Sequence, residues 1–406
     1  MRVAVTGLGI VSCLGLSLEA VSRSLSEGRS GIDVDPDRIE MGFKSPLTGV
    51  IRGYDPRHYV NRKQIKTMGQ PAQYAVGAAY EAIKDARLAP EDLAQVGVGI
   101  IVGNDSCAQP VVEAVDSVRS HKKTSLIGSG NIIQVMNSTV TMNLATVFGI
   151  RGAAWTVSAA CASGAHALGQ AYMLVKLGMQ DMVLCGGAQE MNWPAMASFD
   201  ALGAFARFEG APGTAVRPFA TNRTGLVPSG GAAMLVLERL DRAVERGAHV
   251  YGEVIGYAFS NDGIHLTQPM GDGASRAMRE ALRQAKIDAA AVDYINAHAT
   301  GTPVGDLAEG KSILEVFGVK GPPVSSTKSM TGHECWMAGA SEVLYSLLMM
   351  RDGFLAPNIN LSELDPALAG LDVITGTRRQ RPRVVLSNSF GFGGTNASLL
   401  LKAFEA

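Results

Sequence analysis

Runs of small and β-branched residues recur along the chain. Between them lie longer stretches with apolar residues at helical spacing. The N-terminus enters such a run at once, VAVTGLGIV from Val3, and this predicts a first strand. VGVGIIVG from Val96, DMVLCGGAQE from Asp181, VDYINA from Val292 and PRVVLSNSFG from Pro382 predict further buried strands. Leu168, Tyr172, Val175 and Leu177 mark one long helix, and Val343, Leu344, Leu347 and Leu348 a second. Each follows a short β-branched run and a turn of Ser, Thr, Ala and Gly. Each stops at a glycine, Gly178 or Gly353.

These matches predict an internal duplication of strand–turn–helix elements. Ala153–Gly178 corresponds to Pro322–Gly353, and the strand from Val96 to the strand from Val292. The expected halves are residues 1–245 and 246–406, divided in the charged stretch ERLDRAVERGAHVYGEV. Ile51–Lys66 and Ala195–Gly231 are expected to be loop-rich insertions. The fold class is α/β, and its ligands are expected at the carboxyl ends of the strands.

Composition narrows the function. The formal net charge of -1 across 406 residues argues against a nucleic-acid partner. No window reaches the ~18 consecutive apolar residues of a membrane span, and no signal peptide is expected at the N-terminus. The five cysteines are odd in number and lack CxxC spacing, so disulfides and a metal site are not expected and a cytoplasmic location is. TGLGIVSCLG, from Thr6, imitates a dinucleotide fingerprint. Ser12 stands where its third glycine belongs, so these glycines are expected to make a tight turn instead.

The candidate chemistry gathers on three side chains. Cys161 lies in VSAACASGAHALG, where small residues let the backbone turn and another molecule approach. A buried inert thiol is the competing reading. The turn argues against it, because a cysteine opening a helix has free N–H groups and a dipole that lower its pKa. His298 in NAHATGTPVGD and His333 in KSMTGHE occupy turns of the second half. His58, His121, His249 and His265 are expected to be surface or structural residues, and His166 a packing residue.

Cys161, His298, Lys328, His333 and the run NSFGFGGTN from Asn388 together resemble the β-ketoacyl-(acyl carrier protein) synthases of the thiolase fold. The likeness runs from VAVTGLGIVS to GFGGTNASLLL and is nearest the elongating, KAS I/II-like type with a Cys-His-His centre. It implies duplicated βαβαβαββ halves in a five-layered α-β-α-β-α arrangement. It implies decarboxylative Claisen condensation of an acyl thioester on Cys161 with malonyl-acyl carrier protein, in fatty acid or type II polyketide synthesis, polyenes included. Cys161 is then the nucleophile, and its N–H and that of Phe392 the oxyanion hole. His298 and His333 hold the malonyl thioester carbonyl. Lys328 orders the site through neighbouring acids, with Glu309, Asp306 and Glu342 as supporting carboxylates. Thr300 and Thr302 bind the pantetheine arm, Phe392 gates the site, and Phe390 and Cys107 line the substrate path. No resident cofactor is implied, since phosphopantetheine arrives on the carrier. The implied partners are acyl carrier protein and a second subunit, identical or a chain-length-factor-like homologue.

Three stretches depart from the family pattern. GHECWMAG puts Trp336 and Met337 where small residues are usual, with Glu334 and Cys335 before them. GNDSCAQP from Gly103 replaces a glycine-rich loop that limits acyl length, and FATNRTGL from Phe219 lacks two acids and an aromatic. A coenzyme A-dependent thiolase-type acyltransferase is the nearest alternative; the His-His-Lys set and GFGGTN argue against it. A non-catalytic chain-length subunit would lack the nucleophile.

Overall fold

The computed structural model describes residues 1–207, 210–269 and 272–405. Phe208 and Glu209, inside the expected insertion, lie outside the described residues, as do Met270, Gly271 and Ala406.

The first half runs β1 (Val3–Val11), α1 (Gln70–Asp85), β2 (Val98–Gly103), α2 (Thr139–Phe148), β3 (Ala154–Val157), α3 (Ser163–Lys176), β4 (Met182–Gln189) and β5 (Gly231–Arg239). The second runs β6 (Gly252–Asn261), α4 (Gly273–Ala285), β7 (Tyr294–Asn296), α5 (Pro303–Phe317), β8 (Val324–Ser325), α6 (Ala338–Asp352), β9 (Val384–Gly391) and β10 (Thr395–Lys402). The strands lie in the order β1-β5-β4-β2-β3 and β6-β10-β9-β7-β8, the same order in each half. The parallel and antiparallel pairs also correspond: β2 is parallel to β3 and β4, and β7 to β8 and β9. The two five-stranded units are fused into one ten-stranded sheet, joined by Val3–Val5 of β1 against Gly252–Val254 of β6.

Helices α1 and α2 cover the outer face of the first half, and α4 and α5 that of the second. Helices α3 and α6 lie between the halves, touching strands of both, which completes five layers. Helix α6 is buried from Ala338 to Met350, so it is wrapped on all sides. The two central helices cross at matched glycines. A Cβ on Gly164 would sit 3.0 Å from the Trp336 carbonyl oxygen, and one on Gly339 2.6 Å from the Ala165 nitrogen.

Two expectations change. The glycines of TGLGIV make no turn at Gly7 and Gly9, which lie inside β1. A Cβ on Gly9 would come within 2.0 Å of the Ala78 carbonyl oxygen, so its absence lets the backbone of α1 rest on the strand. The insertion from Ala195 is also not all loop. Trp193–Leu202 is a helix, capped by the Asn192 side chain, which accepts from the Ala195 N–H at 3.1 Å, and closed by Gly203 at φ 75°.

Candidate active site

Strand β3 delivers the chain to a strained turn. Ala160 has φ 47°, and a 3₁₀ turn over Ala160–Ala162 leads into α3. Ser163 locks this turn: its hydroxyl accepts from the Ala159 N–H at 2.8 Å and donates to the Ala160 carbonyl at 2.6 Å. Asp105 takes the Ala160 N–H at 2.9 Å. The end of β9 presses in from the other half. A Cβ on Gly391 would lie 3.2 Å from the Cys161 nitrogen, so the strand and the turn are in tight contact here. As a result the N–H groups of Cys161 and Phe392 both point at the Cys161 thiol.

The thiol is 5% exposed, and burial pushes its pKa up to about 12. This corrects the expectation of a lowered value. The Lys328 charge and the two N–H groups do pull it down, yet desolvation of a thiolate at this depth outweighs them.

The two histidines stand together, with ring centroids 5.2 Å apart and planes at 87°. His298 leaves β7 in a loop whose shape Glu309 fixes. Its carboxylate accepts from the N–H groups of His298 and Ala299 at 2.9 and 2.7 Å, and from the Asn388 amide at 3.2 Å. His333 is held through its main chain, donating to the Val227 carbonyl at 2.7 Å and accepting from the Ser229 N–H at 2.8 Å. Its Nδ1 accepts from the Cys335 N–H at 3.3 Å, which leaves the proton on Nε2. That Nε2, and Nδ1 of His298, are buried without a partner. Burial and the Lys328 charge hold both rings well below the usual histidine pKa, so both are neutral hydrogen-bond donors.

Lys328 and Glu342 form an ion pair with both side chains 1% exposed. Burial pushes Glu342 up, against the pull of the ammonium. Only this carboxylate of the three pairs with Lys328. Asp306 accepts from the N–H groups of Phe219 and Gly301, at 2.9 and 3.0 Å, and so ties the FATNRTGL loop to the loop after His298. Arg223 reinforces that tie, donating to the carbonyls of Ala220 and Pro303 and pairing with Asp365 at 2.9 Å. The departure in FATNRTGL thus leaves the loop anchored.

Thr300 and Thr302 place their hydroxyls 3.1 Å apart beside this loop. Phe390 packs on His298, centroids 6.0 Å apart. Phe392 is 37% exposed and stacks on Phe199 at 6.0 Å. Cys107 lies against Gly69, outside the apolar cluster that holds Cys161. That cluster contains Met196, Phe205, Leu226, Cys335 and Trp336, with Phe199 packed on it. Met196 and Phe199 lie on the helix Trp193–Leu202, and Phe205 just beyond its Gly203 cap, where the sequence pattern predicts loop. The duplication extends to the turn that bears the thiol. Cys335 repeats the positive φ of Ala160, at 45°, and opens the matching 3₁₀ turn before α6. Trp336, not His333, therefore stands where Cys161 stands in the other half.

Comparison with known proteins bears on this geometry. Residues 1–243 match the family model for the beta-ketoacyl synthase N-terminal domain, and residues 251–362 that for the C-terminal domain. The 3-oxoacyl-[acyl-carrier-protein] synthase 1 of Haemophilus influenzae is 42% identical, covering 100% of this chain and 99% of the relative. A beta-ketoacyl synthase from Burkholderia phymatum superposes with a TM-score of 0.95 at 36% identity, with 100% of both chains covered. A type II polyketide ketosynthase, solved with its acyl-carrier protein and bound to the hexaketide, superposes with a TM-score of 0.91 at 29% identity, covering 100% of this chain and 99% of that one. By both domain matches and by full-length identity, this chain belongs to the beta-ketoacyl synthase family.

Proposed function

We propose that this enzyme extends an acyl chain held on Cys161 by decarboxylative condensation with malonyl-acyl carrier protein. The observation that carries the reading is that the Lys328 charge acts on a buried thiol with two N–H groups bonded to it and on two neutral histidines with unpartnered ring nitrogens. In the first step Cys161 Sγ attacks the acyl thioester carbonyl. The bond to the carrier's sulfur breaks, and the thiol proton leaves with that sulfur. The N–H groups of Cys161 and Phe392 hold the oxyanion, a donor pair in which each member is worth roughly 10²–10³ in rate. In the second step the malonyl C–C bond breaks and carbon dioxide departs. The electron pair forms an enolate, whose oxygen accepts from His298 and His333. No strong base is needed, only stabilised charge in a dry pocket. The enolate carbon then attacks the Cys161 thioester, a C–C bond forms, and the thiol is regenerated on taking up a proton.

Thr300 and Thr302 are suited to bind the pantetheine arm, and Phe392, half-exposed over Phe199, to gate it. Acyl carrier protein is the proposed partner, as in the related polyketide complex. A second subunit is proposed to cover β3, an edge strand with Trp155 exposed and its backbone unpaired on one side. Five free cysteines fit a reducing cytoplasm, and among the described residues no helix is long and apolar enough to cross a membrane. The test is incubation with acyl- and malonyl-loaded carrier protein, read by intact mass. A β-keto product two carbons longer is expected, absent with Cys161→Ala; no adduct on Cys161 with any thioester refutes the reading.

A further inference from the structure

We infer that Trp336 sets the length of the acyl chain accepted at Cys161 and restricts it to short chains. The inference rests on Cys161 being the acyl acceptor. A chain on that sulfur has two ways to run. Towards the histidines the walls are polar, and two ring nitrogens there await a carbonyl oxygen. The other wall is apolar, built from Met196, Phe199, Phe205, Leu226 and Trp336, and burial of methylenes favours this side.

Trp336 is the largest group in that wall and the one least free to move. It is 8% exposed. Its indole N–H donates to the Ser106 hydroxyl at 3.0 Å, and Ser106 in turn donates to Glu190 at 2.9 Å. Glu190 is fully buried and also accepts from the Ala108 N–H at 2.7 Å and the Asn192 amide at 2.8 Å. Swinging the indole aside would strand its N–H in an apolar pocket. Phe199 closes the remaining gap, tilted on Trp336 at 6.2 Å and stacked on Phe205 at 6.3 Å. The main chain that carries the ring is fixed as well, because the Trp336 carbonyl packs on Gly164. Two departures from the family pattern thus act together: Trp336 supplies the stop, and Ser106 in the GNDS loop pins it.

The experiment compares butanoyl- and octanoyl-pantetheine as acyl donors and measures the rate of adduct formation on Cys161 by intact mass. One methylene too many in a closed apolar pocket costs about tenfold or more. The octanoyl-to-butanoyl rate ratio of the wild type is therefore expected on the order of 10⁻² or lower. Trp336→Ala should raise the ratio by at least about tenfold. Ser106→Ala removes only the pinning hydroxyl and should raise it in the same direction, which keeps the test decisive if the alanine variant at 336 does not fold. A wild-type ratio near one, or ratios unmoved in both variants, overturns the inference while leaving the condensing reaction standing. Absence of any adduct with either donor overturns the reaction itself.

Discussion

Lys328 and Glu342 offer a prediction whose sign differs between stability and catalysis. Glu342→Gln leaves a buried ammonium without a counter-charge, and losing one partner of such a pair costs ~3–5 kcal/mol. Unfolding entropy near 2.1 cal/mol/K per residue makes each kcal/mol worth roughly 1.2 °C in a chain of this size. The expected loss in melting temperature is thus about 4–6 °C. Lys328→Met should cost less, because burial already raises the proton affinity of Glu342 and the lone carboxyl neutralises itself. The double variant removes both charges and should recover at least half of the loss seen with Glu342→Gln. Catalysis separates this from a packing defect. The Lys328 charge helps hold both histidines neutral, so Lys328→Met should raise their pKa values. The acid limb of malonyl decarboxylation then moves to higher pH. Glu342→Gln leaves the charge uncompensated and should move that limb to lower pH. Calorimetry and a pH–rate profile on the same preparations decide the matter. Limbs that move together, or a double variant no more stable than Glu342→Gln, would refute the reasoning.

Glu334 gives a second test. Its carboxyl is buried, accepts from the hydroxyls of Ser341, Tyr345 and Ser12, and is pushed up to about 7 by burial. A raised folded-state pKa means stability that is complete below the unfolded value near 4.5 and is lost as pH rises through about 7. Glu334→Gln should therefore flatten the melting-temperature profile between those limits, by at most about 1.4 kcal/mol per pH unit; an unchanged slope contradicts the assignment. Gly391→Ala is the third. Its new Cβ, 3.2 Å from the Cys161 nitrogen and 3.1 Å from the Ala159 carbonyl oxygen, should push the two N–H donors apart and slow acylation roughly tenfold to a hundredfold at unchanged melting temperature. An acylation rate within twofold of wild type would show that the turn absorbs the methyl group.

The duplicated strands and central helices were legible because buried strands read as unbroken β-branched runs and because α3 and α6 carry strong apolar spacing. What the linear pattern concealed was depth and partnership. Cys161 sits at a helix start, as its neighbours suggest, but nothing in VSAACASG reveals how completely β9 would cover it. Glu309 and Asp306 stand at the expected spacings, yet both spend their oxygens on main-chain N–H groups, and Asp306 reaches Phe219, 87 residues away. Trp193–Leu202 was missed because Trp193, Ala195, Met196, Ala197 and Phe199 crowd two sides of the helix and leave no polar face to set a period.

The sheath around α6 has a consequence for how the protein comes into being. A helix enclosed by both halves of the sheet cannot lose its water until both exist, and the contacts that enclose it span most of the chain. Such long-range closure is slow and comes late in folding. The turns bearing Cys161 and His333 lie at the N-terminal ends of α3 and α6, so the chamber forms only when these helices dock. Folding and assembly of the site are then one event: a chain that still lacks β9 and β10 has no Gly391 and Phe392 to close the turn at Cys161, and under the proposed function it has no finished acyl acceptor.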